Sequence, residues 1–153
     1  MATTVDLETF KSLAGRELKP SSWMEINQDR VNQFADATED HQFIHLDAER
    51  AAKTPFGGTI AHGYLTLSLL VHLNAEHAVL PEGLSMVINY GSDKVRFLSP
   101  VRVGSRIRSH QRIVEITEKT SGMFLVKTAV TIEIENATKP AMKAEVLIMY
   151  VVR

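Results

Sequence analysis

The 153-residue chain contains no cysteine, which excludes disulfide bonds, thiolate metal sites and a cysteine nucleophile. A chain without cysteine is also typical of a reducing compartment. An excess of one charge is missing as well, because 17 Lys and Arg stand against 18 Asp and Glu. With no basic field to attract a phosphate backbone, we expect no nucleic-acid partner.

The chain also lacks the sequence signatures of several enzyme classes. Neither G-x-x-x-x-G-K-[ST] nor G-x-G-x-x-G occurs, which argues against phosphate-loop and dinucleotide-binding folds. Ser68 stands outside any G-x-S-x-G context, which argues against a serine hydrolase.

Targeting and membrane segments are not predicted. The N-terminal residues carry Asp6 and Glu8 and no basic stretch before an apolar run, unlike a secretory signal. Glycine, proline and histidine interrupt the longest stretch without Asp, Glu, Lys or Arg, from Thr54 to Ala75, which favours a buried helix over a membrane span. We therefore expect a cytoplasmic protein that folds as a single domain over residues 1–153.

The period of the apolar residues changes along the chain. The N-terminal half has helical spacing, with a short segment around Phe10 closed by Gly15 and a second helix after a candidate N-cap at Asn27. The C-terminal half has a period of two, most clearly over residues 124–134 and 142–152. This alternation predicts strands with one face toward a core.

The connections between these elements suggest how they pack. Turn-like residues at 118–122 and 136–140 separate the strands and predict an antiparallel meander. Residues 62–80 are apolar on nearly every side, so a helix there must be covered by other elements. The simplest packing is an α+β domain in which a curved antiparallel sheet wraps one long central helix.

Ionisable side chains concentrate in residues 36–47, at Asp36, Glu39, Asp40, His41, His45 and Asp47. On a regular helix Asp40 and His45 would point about 140° away from each other, so they can meet only if the chain leaves the helix between them. Brought together, they could share one water, with His45 accepting its proton and Asp40 orienting it or handling a second proton. The alternative is a solvated loop in which the carboxylates cap helices.

The segment F-G-G-T-I-A-H-G-Y, residues 56–64, leads into the central helix. Its glycines would let a ligand approach the backbone, and the N–H of Gly63 could donate a hydrogen bond to a developing oxyanion. Alternatively, the glycines only allow a tight turn and close packing. His41, His45 and His62 could be metal ligands, but without cysteine or an H-E-x-x-H motif we expect no metal site.

A local group of basic residues lies within 93–108, at Lys94, Arg96, Arg102, Arg106 and Arg108. This group could hold the phosphates of a carrier. The alternative is a solvated sheet face in which Lys and Arg protect an edge strand.

Three segments resemble one known family, the MaoC-like dehydratases or (R)-specific enoyl-CoA hydratases, which have the hot-dog fold. The segments are D-H-Q-F-I-H-L-D at 40–47, F-G-G-T-I-A-H-G-Y-L-T at 56–66 and I-N-Y-G-S-D-K-V-R-F-L-S-P-V at 88–101. With the strand-rich remainder, the resemblance covers most of the chain from Trp23 onward. Single-domain proteins named after nodulation protein N are similar as well.

The resemblance implies a fold and a reaction. The fold is a long helix wrapped by an antiparallel sheet and paired as a homodimer. The reaction is the reversible addition of water to a trans-2-enoyl-CoA, giving an (R)-3-hydroxyacyl-CoA. The substrate is an acyl-CoA, and no metal or redox cofactor is required.

By position, the resemblance makes Asp40 and His45 the catalytic pair and Gly63 the backbone oxyanion donor. Five further residues are expected to contact the substrate: Gln42, Phe43 and His62 near the acyl thioester, and Lys94 and Arg96 at the CoA phosphates.

The chain departs from the family pattern around the aspartate. Glu39, Gln42 and Phe43 stand where glycine, asparagine and proline are usual, and Phe43 could reshape the acyl pocket. Val71 stands where some members carry a serine. Two other functions stay open: a hot-dog thioesterase, which directs water at the carbonyl carbon, and a non-catalytic acyl-CoA-binding module.

Overall fold

The computed structural model describes all 153 residues as seven strands and six helices. The helices are α1 (Leu7–Lys11), α2 (Gln28–Thr38), α3 (Phe43–Leu46), α4 (Ala48–Ala52), α5 (Gly63–Ser68) and α6 (Leu70–Ala75). The strands are β1 (Thr3–Val5), β2 (Met24–Glu25), β3 (Val79–Pro81), β4 (Leu84–Phe97), β5 (Arg106–Thr120), β6 (Met123–Ile134) and β7 (Met142–Val152). None of the helices has the length and apolar character needed to cross a membrane.

The first two helices begin at the capping residues that their sequences offer. The Asp6 side chain accepts a hydrogen bond from the Thr9 N–H at 2.8 Å. The Asn27 side chain accepts one from the Arg30 N–H at 2.9 Å. After α1 the chain turns at Gly15, whose φ of +89° suits glycine. Both predicted helices and the N-cap at Asn27 are confirmed.

The central helix is shorter than predicted and is interrupted once. Helices α5 and α6 meet at Leu69, which still lies in the right-handed helical region. Hydrogen bonds from the Leu69 N–H to the Leu65 carbonyl and from the Leu73 N–H to the Leu69 carbonyl, both 3.0 Å, carry the helical turns across this point. The helix ends at Ala75, before its predicted end, because residues 79–81 form β3 and pair in parallel with β1.

Five strands form the curved main sheet in the order β2-β5-β6-β7-β4. Strands β5, β6 and β7 are consecutive antiparallel neighbours, which confirms the predicted meander. The turns between them contain positive φ angles, +77° at Gly122 and +61° at Asn136. Strand β4 pairs with the far side of β7 and lies at the edge of the sheet.

The core lies between the sheet and the central helix. Burial alternates residue by residue along β6, as its period of two predicts. A cluster of 16 buried residues joins Leu65 and Leu73 of the helix to Val130 of the sheet, and a separate cluster of five includes Phe10 and Phe124. A curved antiparallel sheet around a central helix is the α+β architecture that the resemblance implied.

Large apolar side chains are exposed on the central helix and on β4. Strand β4 is exposed along most of its length. The exposed large apolar side chains of these elements are Tyr64 and Val71 of the central helix and Met86, Val87, Ile88, Tyr90 and Phe97 of β4.

Candidate active site

The chain leaves the helix between Asp40 and His45, as their spacing requires. Helix α2 ends at Thr38, and the next residue, Glu39, adopts a left-handed conformation with φ +60°. Gln42 directly precedes the short helix α3, in which His45 lies. As a result, one side-chain ligand atom from each of Asp40, His45 and His62 lies within 4.8 Å of the other two.

His45 is buried, with 6% of its surface exposed. Its Nδ1 lies 2.7 Å from the Ile60 carbonyl oxygen, and because a carbonyl only accepts, Nδ1 carries a hydrogen and donates it. In the neutral ring Nε2 is then left as an acceptor and a base. Burial lowers the pKa of His45 and outweighs the Ile60 hydrogen bond, which raises it. The geometry and the burial both favour a neutral imidazole with a basic Nε2.

His62 links the two candidate catalytic residues. Its ring stacks on that of His45, with centroids 3.8 Å apart and planes inclined by 23°. Its Nε2 lies 3.0 Å from the backbone carbonyl oxygen of Asp40, to which it donates, and 3.9 Å from the Asp40 carboxylate. The residue is 2% exposed, and its Nδ1 is buried without a hydrogen-bond partner. His62 therefore restrains both the loop at Asp40 and the ring plane of His45.

These three side chains could offer ligands to a metal, but their arrangement suits one poorly. Nearly parallel stacked imidazoles direct their in-plane lone pairs side by side and not toward one shared point, and Nδ1 of His45 is already engaged. His41 is not part of this group. It faces Asp36 at 2.9 Å on the surface.

A cavity of about 290 Å³, the first cavity, opens beside His45 and the start of α5. Its lining includes His45, Gly63, Thr66 and Phe97. The Gly63 N–H makes no backbone hydrogen bond, as expected for the first residue of a helix, so it is free to donate to a group in the cavity. A Cβ on residue 63 would lie 3.1 Å from the Phe97 ring, so a larger residue would displace that ring.

The other residues expected near the acyl thioester lie outside this cavity. Asp40 is half-exposed, with 52% of its side chain accessible. Gln42 is exposed, and its side chain does not cap α3. Phe43 packs against the Arg50 guanidinium, 4.2 Å from its ring centroid. Neither Phe43 nor the buried His62 lines the first cavity.

Gly57 and Gly58 serve close packing. The Arg102 guanidinium donates to the Gly57 carbonyl at 2.8 Å, and a Cβ on residue 58 would lie 3.0 Å from the same guanidinium. The packing alternative therefore describes these two glycines, whereas Gly63 borders the cavity.

The basic residues within 93–108 do not form one surface. Lys94 and Arg96 lie on β4, whereas Arg106 and Arg108 lie on β5. Strands β6 and β7 separate these two strands in the sheet. Any phosphate site that uses Lys94 and Arg96 is therefore confined to the β4 edge.

The two residues expected at the CoA phosphates, Lys94 and Arg96, differ in whether their charge is already paired. Lys94 forms an ion pair with Glu145 at 3.1 Å. Arg96 is exposed and donates only to its neighbouring carbonyl, that of Val95, at 2.8 Å. Arg96 is therefore the more available cation.

Sequence reasoning missed two contributors to this site. The Ile60 carbonyl, which sets the tautomer of His45, is a backbone group and has no side-chain signal. Phe97 belongs to a segment that resembles the family, but no pattern placed its ring against Gly63. The stacking of His62 on His45 was also not predicted, although both residues were named as candidates.

The curved antiparallel sheet around the central helix is the architecture of the hot-dog class. Residues 9–137 match the MaoC like domain. The chain therefore belongs to the MaoC-like dehydratase family and is a hydro-lyase, which confirms the resemblance seen in the sequence.

Similar proteins and solved structures agree with membership of the MaoC-like dehydratase family. The chain is 44% identical over 151 residues to 3-hydroxyacyl-thioester dehydratase Z of Mycobacterium tuberculosis, covering 99% of each protein. It is 47% identical over 141 residues to nodulation protein N of Rhizobium meliloti, covering 92% of this chain and 88% of that protein. Among solved structures, unliganded R-hydratase PhaJ1 from Pseudomonas aeruginosa matches with a TM-score of 0.73 and 26% identity, over 92% of this chain and 83% of that chain.

Proposed function

We propose that this protein is an (R)-specific enoyl-CoA hydratase, which adds water reversibly to a trans-2-enoyl-CoA and gives an (R)-3-hydroxyacyl-CoA. One observation carries the proposal. With Nδ1 of His45 committed to the Ile60 carbonyl, a basic Nε2 is available beside Asp40 and the first cavity. Relatives named as a 3-hydroxyacyl-thioester dehydratase and an R-hydratase support the same type of reaction.

The proposed reaction begins when His45 Nε2 accepts a proton from water and the water oxygen bonds to the β-carbon of the enoyl group. The π electrons move toward the thioester oxygen, to which the Gly63 N–H donates a hydrogen bond. The α-carbon then takes a proton from the Asp40 and His45 pair on the same face, so that one water is added in total. These steps use no metal and no redox cofactor.

The rate contributions expected for the proposed roles are those typical of such groups. A positioned acid or base typically contributes about 10² to 10⁴ in rate, and an oxyanion donor about 3 to 4 kcal/mol. Asp40 orients the water in this scheme, because its carboxylate lies within reach of His45 and its backbone is held by His62.

We place the CoA phosphates at the β4 edge, near Arg96 and Lys94. The exposed Arg96 guanidinium is available for a bidentate contact with a phosphate. Lys94 would have to leave Glu145 to join it.

We also propose that a second copy of the chain covers the exposed apolar side chains of the central helix and β4, giving a homodimer. Tyr64 is 70% exposed, Val71 67% and Tyr90 61%. The Tyr64 ring contacts the Phe97 ring of β4, with centroids 5.9 Å apart, and neighbouring exposed apolar side chains of this kind are typical of an interface. Since β4 is an edge strand, its unpaired backbone groups can pair with a second β4. Sedimentation of a monomer at micromolar concentration would contradict this part of the proposal.

The identity of the product tests the proposed function. Purified protein is incubated with crotonyl-CoA, the loss of enoyl absorbance and the release of free thiol are followed together, and the stereochemistry of the product is assigned. We expect (R)-3-hydroxybutyryl-CoA without thiol release. Free CoA without hydration would indicate the thioesterase, and binding without turnover would indicate the non-catalytic module; either result contradicts the proposal.

A further inference from the structure

A second cavity, of about 650 Å³, lies between α6 and the main sheet. Of its 24 lining residues 17 are hydrophobic, so its walls suit a hydrocarbon chain. Leu67, Leu70 and Val71 of the central helix line it. Gly63 and Thr66, about one turn earlier on the same helix, line the first cavity. The two cavities therefore border consecutive turns of the central helix.

Polar side chains interrupt the apolar wall of the second cavity. Gln111 on β5 and Thr128 on β6 occupy core-facing positions in the alternating pattern, and each is only 8% exposed. Both line the cavity. They lie between the core cluster that contains Val130 and the one that contains Ile113 and Val126. Polar groups at buried strand positions cost stability, and such departures from the strand pattern are typical of functional sites.

These polar groups retain unused hydrogen-bonding capacity. Gln111 donates its amide N–H to the Asn74 carbonyl at 3.3 Å, which leaves its side-chain oxygen free. The Asn74 side-chain oxygen accepts from the Ser109 hydroxyl at 2.6 Å, which leaves its amide hydrogens free. The Thr128 hydroxyl takes part in no hydrogen bond, although it is not sealed from the cavity. The cavity thus offers a donor, an acceptor and a hydroxyl that can act as either.

We propose that the second cavity receives the acyl chain of the substrate and selects chains that carry an oxygen substituent, a hydroxyl or an oxo group, on the part that meets Asn74, Gln111 and Thr128. The inference rests on the proposed function, because the chain is that of the hydratase's thioester substrate. A substituted chain pairs with these groups when it displaces cavity water, whereas a plain hydrocarbon leaves them unpaired.

The substituent lies far from the reacting double bond. Asn74 is eleven residues beyond Gly63, which corresponds to roughly 16 Å along a helix axis. Crotonyl-CoA is too short to reach Asn74, so its hydration reports on the catalytic site without the selectivity of the second cavity. A loss of chain selectivity and a loss of hydratase activity are therefore distinguishable.

Matched substrates test the inference. Pairs of trans-2-enoyl-CoA esters of equal and increasing length are compared, one member of each pair plain and the other hydroxylated at its terminal carbon. We expect kcat/KM for the hydroxylated member to exceed that of the plain member by about tenfold at the lengths that reach the polar groups. Equal values at every length would overturn the inference, while hydration of crotonyl-CoA would leave the proposed function standing.

A variant pair shows whether the named groups cause the preference. Thr128→Val keeps the shape of the side chain and removes its hydroxyl, so the ratio of the two kcat/KM values should fall severalfold. Thr131→Val on the opposite face of β6 is the matched control and should keep the wild-type ratio. Gln111→Leu is the second test variant if Thr128→Val does not fold. A wild-type ratio in a folded test variant would overturn the assignment.

Equilibrium binding provides a measurement that does not need turnover. Calorimetric titration with saturated acyl-CoA esters compares a terminally hydroxylated chain with the plain chain of equal length. We expect the hydroxylated chain to bind about tenfold more tightly to the wild type, with the difference reduced in Thr128→Val. Equal or tighter binding of the plain chain would overturn the inference even in a protein that hydrates nothing.

Discussion

The imidazole rings of His45 and His62 stack with their centroids 3.8 Å apart, and the same His62 ring holds the Asp40 carbonyl through a 3.0 Å hydrogen bond. One buried side chain therefore positions both members of the proposed catalytic pair. Because Gly63 follows His62 directly in the chain, the proposed oxyanion donor adjoins the residue that contacts both Asp40 and His45.

Replacing His62 by phenylalanine keeps an aromatic ring against His45 but removes the Nε2 donor that holds Asp40. We expect kcat to fall roughly tenfold to a hundredfold with little change in KM, because a displaced carboxylate misplaces the attacking water. His62→Gln, whose amide can donate to the same carbonyl, should recover part of the loss. Steady-state kinetics check this, and an unchanged kcat in His62→Phe would contradict the positioning role.

The activity should depend on pH through His45. Burial lowers its pKa from the ordinary value of 6.5, and the neighbouring His62 contributes to the lowering. A general base must be unprotonated, so we expect kcat/KM to fall with decreasing pH only below 6.5. In His62→Phe this acid limb should move to higher pH. The pH profiles of both proteins test the assignment, which a wild-type limb centred above 6.5 would refute.

Alanine at residue 63 tests the position of the backbone donor. In Gly63→Ala the new Cβ would lie 3.1 Å from the Phe97 ring, so either the ring or the amide must move. We expect kcat/KM to fall by about tenfold to a thousandfold, and Phe97→Leu in the same chain should restore much of it by making room. Full activity in the single variant would argue against an oxyanion role for Gly63.

Thermal unfolding of the same variants shows whether crowding at the Phe97 ring causes the loss. Gly63→Ala should lose stability because its Cβ crowds that ring, and the double variant with Phe97→Leu should recover part of the loss.

Charge reversal at Arg96 tests the placement of the CoA phosphates. We expect Arg96→Glu to raise KM for CoA esters by about tenfold and to change kcat far less, because the lost contact binds substrate and transition state alike. Thioesters of N-acetylcysteamine, which carry no phosphate, are the control and should show no change in KM. An equal effect on both substrates would place the phosphates elsewhere.

The strands of the C-terminal half could be predicted from the sequence because alternating burial requires alternating apolar and polar residues. The alternation over residues 124–134 is that of β6, and Asn27 caps α2 as predicted. The end of the central helix could not be predicted in this way. Residues 79–81 form β3 because they pair with β1, which lies more than 70 residues earlier in the chain. The local sequence does not record a contact between segments that far apart.

The candidate site could also be predicted only in part from the sequence. The spacing of Asp40 and His45 required a break in the helix, and the left-handed Glu39 supplies it. The tautomer of His45, in contrast, depends on the backbone carbonyl of Ile60. The basic residues within 93–108 lie on two strands, β4 and β5, that the sheet order keeps apart. Both features arise from tertiary contacts that neither spacing nor composition records.

Hydration of crotonyl-CoA by the wild type, Asp40→Asn, His45→Gln and a control variant tests the proposed roles of Asp40 and His45. The control is His41→Gln, because His41 lies within the same motif but faces Asp36 on the surface. We expect Asp40→Asn and His45→Gln to remain folded and to lose at least about 10² in kcat, while His41→Gln keeps wild-type activity. Wild-type turnover to the same (R)-product in either Asp40→Asn or His45→Gln would contradict these roles.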